Sequence, residues 1–215
     1  MTAATPIESS RGVRDWWLRL LLVFQHPRPV FVALRDESGE SSSDRSEPVL
    51  AVILLAGIAL VLATGTAGQL MDDSQYDGLL VAVWAFIAGS LSGTLAYFLV
   101  GAFVYGAAKV LGSPGSYRRA RHVVAFAAAP IALSLVLWPV RLALYGEDVF
   151  RTGGSDAGTG ARVFELLGAV FLAWSLALLV IGVRAVHRWT WLRAAAATAI
   201  ALGVPAVVAV AFHIR

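Results

Sequence analysis

Long apolar runs separated by short polar segments dominate the chain from residue 48 onward. A run of about 20 apolar residues is long enough to cross a bilayer as a helix. Five such runs lie at about 48–70, 78–111, 122–145, 163–183 and 191–212. The pattern predicts an all-α fold: a polytopic membrane helical bundle of five transmembrane helices, preceded by an N-terminal interfacial amphipathic helix.

The second apolar run is longer than a bilayer requires. Residues 78–111 would measure about 50 Å as one helix, against a hydrocarbon core of about 30 Å. Splitting the run near residues 89–93 would leave two short pieces with no polar turn between them, and irregular backbone exposed to lipid is costly. We therefore predict one long helix that tilts or protrudes.

Residues 1–47 are predicted to form a cytoplasmic N-terminal segment, ahead of a membrane domain over residues 48–215. Apolar positions repeat at helical spacing over residues 10–25, with Ser10 as a candidate cap and with the pair Trp16-Trp17. We predict a helix in the headgroup region; the alternative is a helix packed on the protein's own cytoplasmic face. Residues 36–47 are polar enough to predict a flexible linker.

Lys and Arg are divided unequally between the two sides that the five spans define. Thirteen lie on the side of the N-terminus: Arg11, Arg14, Arg19, Arg28, Arg35, Arg45, Lys109, Arg118, Arg119, Arg121, Arg184, Arg188 and Arg193. Four lie on the other side: Arg141, Arg151, Arg162 and Arg215. The positive-inside rule then predicts a multi-pass protein of the cell inner (plasma) membrane, with a cytoplasmic N-terminus and an external C-terminus.

One basic residue lies inside a predicted span. Arg141 is about one turn before the outer end of the third span, and a charge at that depth is a candidate functional residue. Glu165 lies at a comparable depth at the start of the fourth span. Because a short loop joins the two helices, we predict an Arg141–Glu165 ion pair. Snorkelling of the arginine to the interface is the alternative.

Small residues and prolines mark the predicted spans. Gly89 and Gly93 are spaced so that another helix can approach closely, in packing within the bundle, in dimerisation or at a helix break. Pro130 and Pro139 in the third span and Pro205 in the fifth predict kinks.

Composition and motifs exclude several kinds of chemistry. The chain is 58% hydrophobic and has no cysteine, so a disulfide, a thiolate nucleophile and a cysteine-ligated metal are all ruled out. The four histidines lack metal-ligand spacing, and no Ser/His dyad spacing is present. The glycine-rich loop over residues 153–160 lacks the lysine of a phosphate loop, so we predict an external flexible turn there. The basic residues form no single patch beside aromatic base-stacking positions. We expect no enzyme activity, no cofactor, no metal and no nucleic-acid partner.

Three sequence features together resemble a known family. They are Trp16-Trp17, the element Pro27-Arg28-Pro29, and the stretch over residues 115–130, which reads GSYRRARHVVAFAAAP. From about residue 15 onward, the chain resembles the bacterial Yip-domain family, which is named for eukaryotic relatives that interact with Ypt/Rab GTPases. The resemblance implies five spans and a cytoplasmic N-terminus, and it carries over Tyr117, Arg118 and Pro130.

The resemblance does not extend to the role of the eukaryotic members, which are similar to receptors or scaffolds for prenylated Rab proteins. Their Tyr-Gly-Pro-type motif is absent, and the nearest match, Tyr145-Gly146-Glu147, lies on the other side of the membrane.

These features favour a non-catalytic membrane scaffold or adaptor that binds a protein partner or organises lipid through its basic cytoplasmic face. The expected partners are the lipid bilayer, with anionic lipids at that face, and a membrane-protein partner or a second copy of the chain. The alternative is a transporter or permease component with a site near Arg141. The candidate interaction or structural residues are Trp16, Trp17, Tyr117, Arg118, Arg119, Arg121, Pro130, Arg141 and Glu165.

Overall fold

The computed structural model describes the backbone of residues 6–213 and the side chains of residues 12–39 and 41–203. Within this part of the chain the fold is all-α, as predicted, with short 3-10 turns and no strand. The helices are α1 (Pro6–Leu22), α2 (Pro27–Ala33), α3 (Gly39–Asp44), α4 (Ser46–Leu62), α5 (Gly78–Val110), α6 (Tyr117–Ala127), α7 (Ala129–Leu133), α8 (Leu137–Tyr145), α9 (Thr159–His187) and α10 (Trp191–His213).

The chain divides into two compact units. Unit 1 comprises Met1–Ala51, Tyr97–Ala127 and Leu176–Arg215, and unit 2 comprises Val52–Ala96 and Ala128–Ser175. In unit 1 the side chains of Phe31, Phe126 and Val183 are at most 1% exposed. In unit 2 the buried residues Met71, Val81, Val149 and Phe150 form one apolar cluster. Each unit therefore has its own core.

Among the residues that the structure describes, four helical segments are long and apolar enough to cross a membrane: Ser41–Leu62, Gly78–Val110, Tyr117–Phe150 and Thr159–His187. The fifth predicted span corresponds to α10, a helix of 23 residues. Its described side chains cover the apolar part Trp191–Gly203. The apolar helices fit a polytopic membrane protein, and the count of five spans stays a prediction.

The long second span is one helix, as predicted. Helix α5 runs for 33 residues without interruption. It ends at Val110, and Gly112 follows with a φ of 76°, a left-handed conformation that glycine adopts without strain. The amide of Ser113 then donates to the carbonyl of Ala108, which is the hydrogen bond of a Schellman stop.

The third span is interrupted, in agreement with the proline prediction. Helices α6 and α7 are separated at Ala128, and a 3-10 segment, Ser134–Val136, lies between α7 and α8. Pro130 is in the first turn of α7 and Pro139 is in the first turn of α8. Proline has no amide hydrogen to continue the helix ladder, which explains both interruptions. Pro205 lies outside the residues whose side chains are described.

Several boundaries differ from the prediction. The predicted helix over residues 10–25 is α1, which begins at Pro6, so Ser10 lies inside the helix rather than at its cap, and its side chain lies outside the described residues. The first span ends at Leu62 rather than near residue 70, because the Thr64 hydroxyl donates to the Val61 carbonyl and a turn follows.

The segment over residues 36–47 differs most from its prediction as a flexible linker. Ser38 caps α3 by accepting a hydrogen bond from the amide of Ser41 at 3.3 Å. Arg45, at the end of the same segment, is 0% exposed. A polar segment can fold without apolar burial of its own when one of its side chains is anchored in a neighbouring core, and Arg45 supplies that anchor.

The predicted close approach of helices at Gly89 and Gly93 is confirmed inside the chain. A methyl group added to Gly93 would overlap the carbonyl oxygen of Ile53, and one added to Gly89 would overlap the backbone of Ile58. Gly57 meets the same two glycines from the side of α4. The backbones of α4 and α5 are therefore in direct contact within unit 2, as small residues permit in membrane bundles.

We predict that Gly93→Ala destabilises the protein by about 1–3 kcal/mol, because its methyl group overpacks the α4–α5 contact. Gly106→Ala is the matched control on the same helix, since no atom lies within 4 Å of an added methyl group there. At that exposed position alanine should be neutral or stabilising by up to about 1 kcal/mol. Thermal unfolding in detergent measures both changes, and equal melting temperatures for the two variants would contradict the close contact.

Candidate functional site

The tryptophan pair on α1 is divided between two environments. Trp16 is 3% exposed and its ring lies 5.6 Å from the ring of Phe126. Trp17 is half-buried, and its indole nitrogen donates to Glu47 at 3.3 Å. The Trp16 face of α1 thus packs on the protein itself. On the remaining surface of the helix, Leu18 and Leu21 are at least half exposed. Whether that second face lies in lipid headgroups stays a prediction.

Arg45 is the most deeply buried charged group among the described side chains of unit 1. Its Nε donates to Nδ1 of His122 at 2.8 Å, one terminal nitrogen donates to the carbonyl of Asp36 at 2.8 Å, and the other donates to Ser42 at 2.9 Å. The guanidinium also lies 5.4 Å from the ring centre of Trp16. One side chain thereby joins α1, the segment before α4, and α6.

The contact with His122 defines the state of the imidazole. A guanidinium has hydrogen-bond donors and no acceptor, so Nδ1 of His122 must be the unprotonated ring nitrogen. His122 is buried and, in this contact, neutral. Arg45 has no carboxylate within ion-pair distance among the described residues, so neutral acceptors and an aromatic ring make its direct contacts, while the charges of Asp36 and Glu37 act on it from farther away. The charge does not appear on the surface, which indicates a structural role.

Aromatic rings from α5 and α6 form a cage around Arg121. The Arg121 guanidinium lies 5.2, 4.8 and 4.7 Å from the ring centres of Tyr97, Phe98 and Tyr117. The Tyr117 hydroxyl donates to the carbonyl of Phe98 at 2.9 Å. The side chain of Arg121 packs so closely on Gly101 that an added methyl group would overlap it. Cation–π contacts of this kind fix an arginine without a counterion.

The two arginines between Tyr117 and Arg121 differ in their exposure. Arg119 forms an ion pair with Glu37 at 2.8 Å, and Glu37 also accepts a hydrogen bond from Ser116. Arg118 is exposed and reaches Ser42 at 3.5 Å. Arg119 therefore ties the N-terminal segment to α6, while the charge of Arg118 stays available to solvent.

Four arginines of unit 1 lie near one another around the end of α9. Arg35 donates to the carbonyl of Ala185. Burial lowers the pKa of the Arg35 guanidinium below its ordinary value, and the positive charges of Arg188, Arg119 and Arg28 lower it further. We call Arg28, Arg35, Arg119 and Arg188 the basic cluster. Glu37 is the only carboxylate paired with a member of the basic cluster among the described residues.

Pro130 is a helix-breaking residue within unit 2. It is among the fully buried side chains and lies in the first turn of α7, directly after the interruption at Ala128. Proline is favoured in the first turn of a helix, so backbone geometry explains why a proline occurs here.

Arg141 pairs with Asp156, so the predicted pair with Glu165 is wrong. Nε of Arg141 donates to Oδ2 of Asp156 at 2.7 Å, and a second guanidinium nitrogen donates to the same oxygen. Asp156 is 5% exposed although it belongs to the glycine-rich loop that was predicted to be an external flexible turn. The turn glycines, such as Gly158 with a φ of 88°, let that loop fold back onto α8.

A cavity of about 520 Å³ in unit 2 reaches Arg141. Glu165 lines the same cavity and is exposed, while the Arg141 guanidinium lies 5.0 Å from the ring of Trp138 and 5.7 Å from the ring of Phe164. The volume is in the range of small-molecule sites. Arg141 and Glu165 thus share one cavity without forming a pair.

The structure also brings together a serine and a histidine that the sequence did not connect. Ser113 Oγ lies 2.8 Å from Nδ1 of His187 and accepts a hydrogen bond from the amide of Gly115. Ser113 is 5% exposed, His187 stacks on Trp189, and the charged groups acting on the imidazole are arginines rather than an orienting carboxylate. The contact fixes the turn after α5 and lacks the access and the third group of a hydrolytic triad.

Among the residues with described side chains, no group of three or more His, Cys, Asp or Glu side chains could hold a metal ion. In a comparison with protein families, a family model described as the Yip1 domain matches residues 21–213. No curated protein matches the chain. No solved structure matches it either.

We predict that Arg45→Met destabilises the protein by about 1–3 kcal/mol, because His122, Asp36 and Ser42 lose a buried donor. Hydrogen exchange of the amides in α3 should accelerate, since Arg45 anchors that segment. Arg14→Met is the matched control, because Arg14 is exposed on α1. Unchanged exchange in α3 would contradict the anchoring role of Arg45.

A second prediction separates the two carboxylates near Arg141. Asp156→Asn should destabilise the delipidated protein by about 1–3 kcal/mol, because it leaves a half-buried guanidinium without its counterion. Glu165→Gln should change stability by no more than about 0.5 kcal/mol, as expected of an exposed side chain. Thermal unfolding in detergent compares them, and a larger effect of Glu165→Gln would restore the pair that the structure rejects.

Proposed function

Because the chain belongs to the Yip1 domain family, we propose that it is a non-catalytic integral membrane scaffold or adaptor. It binds an acidic protein partner or anionic lipid through the exposed arginines of unit 1, which include Arg28, Arg118 and Arg188 and which we call the basic surface. Membership of the family and the apolar helices support a membrane protein with a non-catalytic role. The partner and the surface are the parts of the proposal that need their own argument.

The segregation of charge between the two units is the observation that carries the proposal. The segments of unit 1 contain 14 basic and 7 acidic residues, a net charge of +7. The segments of unit 2 contain 3 basic and 7 acidic residues, a net charge of −4. The net charge of +3 for the whole chain is therefore the sum of a basic unit and an acidic unit. An acidic partner or anionic lipid would be attracted to the basic unit.

Within unit 1, the arginines divide into those that hold the fold and those that face solvent. Arg45 and Arg121 are committed to buried or aromatic contacts. Arg28, Arg118 and Arg188 are exposed, and none of them has a carboxylate within ion-pair distance among the described residues. These three arginines are among the charges of unit 1 that remain available to a partner, whereas Arg45 and Arg121 keep that surface in shape.

The same segregation supports the proposed orientation. Loops on the cytoplasmic side of membrane proteins carry an excess of Lys and Arg. The loops of unit 1 fit that side, so we place the N-terminus in the cytoplasm, the C-terminus outside, and the protein in the cell inner (plasma) membrane. A basic surface at the cytoplasmic headgroups gains about 1 kcal/mol per basic residue from anionic lipid.

We predict that the double variant Arg118→Gln/Arg188→Gln weakens binding at the basic surface by roughly fivefold per arginine removed, the equivalent of about 1 kcal/mol each. Two measurements test this: photo-crosslinking of protein partners in native membranes, and quantitation of the anionic lipid that copurifies with the protein. Either a partner or the anionic lipid should be lost.

The matched control is Arg151→Gln/Arg162→Gln, which removes the same charge from exposed positions of unit 2. It should leave both readouts unchanged. Equal losses in the two double variants would mean that net charge alone matters, and no loss in either would contradict a role of the basic surface.

A transporter or permease component with a site near Arg141 is the second candidate, and the cavity that reaches Arg141 is the observation in its favour. We rank it second because Asp156 already neutralises the arginine. Solute flux in proteoliposomes that is abolished by Arg141→Ala, in a variant shown to be folded, would place it first.

A further inference from the structure

The cavity in unit 2 combines a polar end with an apolar body. Arg141 and Glu165 supply the charged groups, and Trp138 and Phe164 flank the arginine. The remaining lining is mainly aliphatic, and two lining residues, Leu60 and Leu172, are nearly half exposed. In a membrane protein, exposed leucines of a long apolar helix face lipid. The cavity therefore opens where an amphipathic molecule can enter from the bilayer.

The charges of the cavity select the kind of head group that fits. Asp156 takes two hydrogen bonds from Arg141, through Nε and one terminal nitrogen, and the other terminal nitrogen makes no hydrogen bond with a described residue. Glu165 makes no ion pair with a described residue. The three groups together carry a net charge of −1. A purely anionic ligand would meet that excess unfavourably, whereas a ligand with both an ammonium and a phosphate group matches both ends.

The polar groups lie near helix ends rather than at mid-helix. Glu165 is six residues from the start of α9, about 9 Å along the helix axis, and Arg141 is four residues from the end of α8. Thr64 and Gly65, which also line the cavity, follow the end of α4. Three helix ends converge on this part of unit 2, which is the level expected for phospholipid head groups.

We propose that the cavity binds a zwitterionic aminophospholipid of the ethanolamine type as a resident lipid. Its ammonium group pairs with Glu165, its phosphate accepts a hydrogen bond from the free terminal nitrogen of Arg141, and its acyl chains leave along Leu60 and Leu172. Asp156 and the two aromatic rings hold the arginine in place for this contact. The site is separate from the basic surface of unit 1, so its test is independent of the proposed function.

The experiment measures lipid binding to the full-length protein purified in detergent and delipidated. Native mass spectrometry and thermal unfolding are recorded with phosphatidylethanolamine, phosphatidylglycerol, soluble glycerophosphoethanolamine and inorganic phosphate. Two variants test the cavity. Glu165→Gln removes the ammonium partner, and Gly168→Leu fills the cavity, because Gly168 lines it and no atom lies within 4 Å of an added methyl group. Glu147→Gln, an exposed carboxylate outside the lining, is the matched control.

Phosphatidylethanolamine should bind and raise the melting temperature. Glu165→Gln should weaken this binding by about tenfold, as loss of one charge-assisted contact should. Gly168→Leu should weaken it at least as much, because the added side chain occupies the cavity. The control should bind as the wild type does. Equal binding of phosphatidylglycerol would overturn recognition of the ammonium group. Equal binding of glycerophosphoethanolamine or phosphate would overturn a lipid as the occupant, and full binding to Gly168→Leu would overturn the cavity as the site.

Discussion

The cost of taking charge out of water is the constraint on which the described structure depends. A charged side chain in a low-dielectric environment must find hydrogen bonds, a counterion or an aromatic face. In this protein two withdrawn arginines do so in different ways. Arg45 uses an imidazole, a carbonyl and a serine hydroxyl, whereas Arg141 uses the carboxylate of Asp156 and two aromatic rings. Each arginine lies within a different compact unit and connects separate segments of the chain. The fold and the candidate function are linked at Arg45 and Arg141. The partners that bury these two arginines withdraw their charges from the surface, so other basic residues form the exposed surface.

Features with a local cause could be predicted from the sequence. The continuous helix α5, the close contact at Gly89 and Gly93 and the interruptions at Pro130 and Pro139 each follow from side chains within a few residues of the feature. The family resemblance could also be recognised, since its residues are contiguous in the stretch after α5, and the match over residues 21–213 confirms it. Local periodicity and contiguous motifs were therefore enough to predict the fold class.

The errors arose where a side chain contacts a residue outside its own helix. Arg45 and His122 are 77 positions apart, and no pattern joins them. A signal was nevertheless present, because Ser41 and Ser42 lie four and three positions before Arg45, the spacing at which helical side chains can reach one another. Arg141 was assigned to Glu165 by assuming that charges on adjacent helices pair. The actual partner, Asp156, comes from the connecting loop, whose glycines disguised it as an external turn. Ser113 and His187 likewise meet only in three dimensions.

We propose that the basic segments of unit 1 face the cytoplasm and that the loop carrying Asp156 faces outward. Because the natural chain has no cysteine, single-cysteine variants can report the side of each segment directly. Gln25→Cys in unit 1 and Ala157→Cys in unit 2 change exposed positions. With a membrane-impermeant maleimide on intact cells, Ala157→Cys should be labelled at once and Gln25→Cys only after the membrane is permeabilised. The reverse order, or labelling of both variants from outside, would contradict this orientation.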